Sequence, residues 1–301
     1  MTPASRPLGG RLKIRLEALG HGIFYLTLRL FGQLGAYLLL LPVIAAYAAT
    51  SRKIGRKTAP YLSRRFPSAG RPGRWLAMIR NLTSFGQVLV DRAWLGIKGG
   101  DLRGEFIGYQ QLEELVNRGR GVVLLTAHVG NWQTALARLD SLPTRVHALM
   151  RYDQEAAAKH YFDLRDGRRP FEIIDSEGPW GGMIEATAAL QRGEVVTIMG
   201  DRLVKGSAVT VDLLGDPARI PEAAYFLAGS VGAPVVVMFA AKTGRKSYQL
   251  RVWDSWYPRW ENREQRAEAC RNSGARFAKN LQEYLDEYPH QWYNFYDFWQ
   301  Q

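Results

Sequence analysis

At residues 121–133 the chain reads GVVLLTAHVGNWQ, and this stretch decides the fold. A glycine opens a short aliphatic, β-branched run without polar interruption, the pattern of a strand buried on both faces of a parallel sheet. His128 stands just past the carboxyl end of that strand, and Gly130 permits a tight turn into the helix expected from HVGNWQTALARLD. Outward from here the pattern alternates. RVHALM reads as strand, QEAAAKHYFDLR as helix, FEIID as strand, MIEATAALQRG as helix, and EVVTIMG and AVTVDLL as strands. EAAYFLAGSVG then reads as helix, PVVVMFAA and YQLRVWD as strands, and 261–286 as a long helix; upstream, 75–95 and 105–118 read as helices, the second stopped by Gly119. The expected class is therefore α/β, a mostly parallel central sheet flanked by helices, with sites beyond the carboxyl ends of the strands.

The N-terminal quarter differs. Residues 30–50, LFGQLGAYLLLLPVIAAYAAT, carry no charge between Arg29 and Ser51-Arg52-Lys53, about the length a helix needs to cross ~30 Å of hydrocarbon. Gln33 and Pro42 interrupt it, and Ala46-Tyr47-Ala48 resembles a signal-peptidase site. An uncleaved anchor helix is the preferred reading, ahead of an interfacial helix and a cleaved signal. Residues 52–80 follow with nine Lys or Arg and no acidic residue. The expected division is 1–74 as membrane anchor and basic juxtamembrane segment and 75–301 as catalytic domain, on the cytoplasmic side if the anchor spans.

A formal net charge of +12 suits an anionic partner: a membrane surface, an acidic carrier protein or nucleic acid. Nucleic acid is the poorest of these, because the cations stand after an apolar segment instead of being interleaved with aromatics. The single cysteine, Cys270, excludes an intramolecular disulfide, and the five histidines show no metal-ligand spacing, so neither metal nor cofactor is expected. No G-x-S-x-G elbow, P-loop or strand-borne G-x-G-x-x-G is present.

What remains is an imidazole at a strand mouth. Acyl transfer to an alcohol needs a base near neutral pH, and histidine suits that task. Here the sequence resembles a known family. An apolar strand followed by His, four residues and an acid is the hallmark of the glycerolipid and lipid A acyltransferase superfamily, and HVGNW is similar to the form in bacterial lipid A acyltransferases. LQRGEVVTIMGDR resembles that family's second block, DLLGDPARIPEAAYFLAGSVGAPVVV its third, and HQWYNFYDFW its aromatic tail. The resemblance implies His128 as general base, an acyl carrier protein or coenzyme A thioester as donor, a lipid A precursor or related lipid as acceptor, and the bacterial inner membrane as location. The GDR and WYNFYDFW variants look like those of aryl polyene or other specialised-lipid branches. Asn131, Arg151, Arg165, Arg202 and Glu222 are the implied substrate-binding residues, with His128, Gln133 and Asp201 catalytic.

One position departs from the family. The fifth residue after His is normally Asp or Glu, and here it is Gln133. An amide can accept a hydrogen bond from imidazole but cannot stabilise the imidazolium. Three readings stay open: another carboxylate, Asp201 or Glu222, replaces it; the glutamine is an engineered substitution; or the protein is a weakened or inactive lipid- or carrier-binding homologue.

Overall fold

The computed structural model describes residues 8–98, 102–133, 139–151, 171–203 and 206–300. Nine strands are assigned among them: β1 (Arg103–Ile107), β2 (Val122–Thr126), β3 (Val146–Met150), β4 (Glu172–Asp175), β5 (Val195–Met199), β6 (Ala208–Leu213), β7 (Asp216–Pro221), β8 (Val235–Lys242) and β9 (Ser247–Trp256). Seven form one sheet in the order β1-β9-β8-β2-β5-β3-β4. The apolar run at 122–126 lies at its centre, paired in parallel with β5 and with β8. β5, β3 and β4 continue in parallel, whereas β9 folds back antiparallel on β8 and carries β1 at the edge. The sheet is mostly parallel, as the alternating pattern implied.

The helices described are α1 (Leu8–Thr50), α2 (Arg52–Arg65), α3 (Arg71–Lys98), α4 (Tyr109–Asn117), α5 (Met183–Gln191), α6 (Ala223–Val231) and α7 (Arg263–Glu287). The helix expected from QEAAAKHYFDLR, with Arg165, lies outside the described residues. Asn262 starts α7 by accepting a hydrogen bond from the Gln265 N–H at 2.9 Å, a side-chain cap on otherwise orphaned donors.

Two local readings differ from the sequence pattern. Residues 105–107 belong to β1, not to a helix; as an exposed edge strand β1 lacks the buried alternation that marks a strand. β7 was not apparent either, because Pro217 and Pro221 punctuate DPARIP. It pairs antiparallel with β6, and this hairpin lies on α7, where Gly274 brings the helix against Val209 and Val211.

The N-terminal helices are tied to the rest. Tyr61 of α2 donates to the Pro289 carbonyl at 2.7 Å, and Arg64 pairs with Asp216 at 2.6 Å. Arg65 donates to the Leu285 carbonyl at 3.0 Å. Part of the basic segment thus serves internal packing, while Arg52, Lys53, Arg56 and Lys57 stay exposed.

Candidate active site

Strands β2 and β5 run side by side with Thr126 opposite Met199. Two residues beyond each strand end are His128 and Asp201, so the register alone brings them level across neighbouring strands about 4.8 Å apart. Gly200 N–H donates to the Thr126 carbonyl at 2.8 Å and carries the pairing past the strand end. The His128 ring and Asp201 meet at 2.8 Å, Nδ1 to Oδ1, and the His128 backbone N–H donates to Oδ2 at 2.9 Å. Asp201 is buried, at 1% exposure, while the His128 side chain is 25% exposed.

A buried carboxylate needs its oxygens occupied. The third donor comes from the aromatic tail, where Trp292 Nε1–H reaches Oδ2 at 2.9 Å. The tail is laced along the histidine loop by a Val129–Trp292 bridge, by the Tyr293 N–H to the His128 carbonyl at 2.8 Å, and by the Gly130 N–H to the Gln291 carbonyl at 2.9 Å. Tyr296 donates to the Asp201 carbonyl at 2.8 Å. Burial acts to raise the Asp201 carboxyl; the His128 charge and the bonds from His128 and Trp292 outweigh it and hold the carboxyl below its ordinary value. With Asp201 ionised and the imidazole neutral, Nδ1 carries the hydrogen and Nε2 keeps its lone pair.

Gly130 is required where it stands. Its φ is +48°, and a Cβ there would lie 1.7 Å from the Ala240 carbonyl oxygen at the end of β8.

The other residues singled out in the sequence are dispersed. Gln133 is buried at 3% exposure, and it is Asp201 that meets the imidazole. Asn131 is buried, at 1% exposure. Arg151 is exposed and pairs with Glu177 at 3.4 Å. Arg202, next to the dyad in sequence, is exposed and lies over the Tyr296 ring at 5.1 Å. Glu222 opens α6 and acts electrostatically on Cys270. The contact of Trp292 with Asp201 is visible only in the fold.

A second buried polar group was not read from the sequence. Asp91 of α3 accepts from Gln33, Tyr37 and Tyr248 and pairs with Lys242 at 2.6 Å. A lone acid within the apolar 75–95 pattern was its only signal.

Fold and site define an α/β protein with a histidine–carboxylate pair at the carboxyl edge of its sheet. A family model described as bacterial lipid A biosynthesis acyltransferase matches residues 20–301, and the chain belongs to that family. It is also similar to the phosphatidylinositol mannoside acyltransferase of two strains of Mycobacterium tuberculosis, 28% identical over 131 residues. That match spans 43% of this chain and 41% of the relative.

Proposed function

We propose that this protein transfers a fatty acyl group from a thioester donor, an acyl carrier protein or coenzyme A conjugate, to a hydroxyl of a lipid A precursor or related glycolipid, with His128 as general base. His128 Nε2 takes the hydroxyl proton as the oxygen attacks the thioester carbonyl. The tetrahedral adduct expels the thiolate, which receives that proton from the imidazolium. Asp201 orients the ring and stabilises its cation, the part the family pattern gives to the residue now occupied by Gln133. Asn131, Arg151, Arg165, Arg202 and Glu222 carry the substrate-binding expectation, and of these Arg202 stands nearest the pair in sequence and is exposed. Residues 1–74 serve as the membrane-contacting part and 75–301 as the catalytic part, at the cytoplasmic face of the inner membrane.

The observation that carries this reading is the 2.8 Å contact between the His128 ring and a buried carboxylate. It favours an enzyme over an inactive binding homologue, since the argument for inactivity was the amide at 133. The test is a transfer assay with labelled acyl thioester and bacterial lipid extract. The wild-type chain should form labelled lipid, and His128→Ala should lose at least about a hundredfold in rate. Undiminished transfer by His128→Ala would falsify the mechanism.

A further inference from the structure

The segment from Gly20 to Thr50 is long and apolar enough to cross a bilayer. Its two faces are nevertheless unlike. Leu28, Ala36, Leu40 and Ile44 are buried, and Gly32 and Gly86 bring α1 close to antiparallel α3, Gly32 beside Trp94 and Gly86 beside Leu40 and Ile44. The same face is polar at its middle. Gln33 and Tyr37 donate to Asp91 of α3, and both also reach the Arg245 carbonyl, at 3.1 and 3.2 Å, in the β8–β9 turn.

On both sides of a break at Gly32, where φ is 66° and ψ is -165°, α1 is thus clamped to the folded domain from Leu28 to Ile44. To cross a membrane in this state it would take with it the Asp91–Lys242 ion pair and the β8–β9 turn. Hydrocarbon tolerates neither charged groups nor open backbone without a large free-energy cost. To cross alone it would strip Gln33 and Tyr37 of their partners.

The opposite face holds the alternative. Leu26 and Leu30 before the break at Gly32, and Leu34, Leu38 and Leu41 after it, are each at least half exposed. Beyond the end of α1, Arg52, Lys53, Arg56 and Lys57 are exposed on the first two turns of α2. An apolar stripe adjoining a cationic cluster matches the boundary between acyl chains and anionic headgroups.

Building on the membrane location proposed above, we infer that α1 lies flat in the surface of an anionic phospholipid bilayer without crossing it. The leucine stripe enters the acyl region, the α2 cations meet phosphate groups, and residues 21 and 52 face the same side of the membrane.

Two measurements on the full chain test this. Purified protein should float with phosphatidylglycerol vesicles, and Leu34→Asp with Leu38→Asp should reduce that partition at least about tenfold at an unchanged melting temperature. Equal partition onto phosphatidylcholine vesicles would overturn the headgroup assignment. In inverted inner-membrane vesicles from expressing bacteria, cysteines introduced as His21→Cys and Arg52→Cys should respond alike to a membrane-impermeant maleimide, Cys270 being buried. If one reacts and the other is protected until detergent is added, α1 spans; the flat arrangement then fails while the membrane location stands. Protein that floats with no vesicle removes both.

Discussion

Asp201 is held by three donors, from the His128 ring, the His128 backbone and Trp292. Asp201→Asn retains the shape but not the charge, so the imidazolium formed during proton transfer loses its counter-ion. Steady-state transfer rates should fall by about 10²–10⁴. Gln133→Glu should give no comparable gain, because the imidazole already has a carboxylate partner; a large increase in the same assay would reassign the acid to position 133. Asp201 also sets a pH dependence. Its carboxyl lies below the ordinary value of about 3.9 in the folded chain, so its ionisation favours the fold above that pH. This contribution disappears as pH falls through the lowered folded value. Denaturant midpoints measured from neutral pH into the acid range should therefore drop more steeply for the wild type than for Asp201→Asn.

Between elements, one contact sets the path of the histidine loop and a second ties the N-terminal helices to the sheet. The histidine loop passes so close to β8 that a methyl at Gly130 would overlap the Ala240 carbonyl. Gly130→Ala should force the loop outward, lowering stability by about 1–3 kcal/mol and separating His128 from Asp201. Transfer should then fall by more than the stability loss explains, read as activity per folded molecule. The second contact is Asp91, where α1, α3, β8 and β9 meet. Its Lys242 partner is 7% exposed on the side chain, and burial acts to lower that ammonium's pKa against the pull of the carboxylate. Asp91→Ala leaves this cation buried without its partner, and urea unfolding should show a loss of about 3–5 kcal/mol.

Across the whole molecule, the parallel sheet was legible because its central strands are buried on both faces, which leaves unbroken apolar runs such as VVLLT and VVVMFAA. The exposed β1 and proline-marked β7 were not legible, since neither needs such a pattern. His128 was legible from its place at a strand mouth. The partner of its ring stood open in the sequence between the amide of Gln133 and the carboxylates of Asp201 and Glu222; the adjacency of β2 and β5 brings Asp201 to it, 73 positions away. An apolar N-terminal segment was likewise plain, but not that one of its faces is committed to α3 and Asp91. Local composition determines which segments are buried strands, amphipathic helices or membrane-seeking surfaces, because those depend on neighbouring residues. Which charges meet depends on strand order and helix packing, and only the tertiary structure decided those, since burying a carboxylate requires donors that no single segment contains.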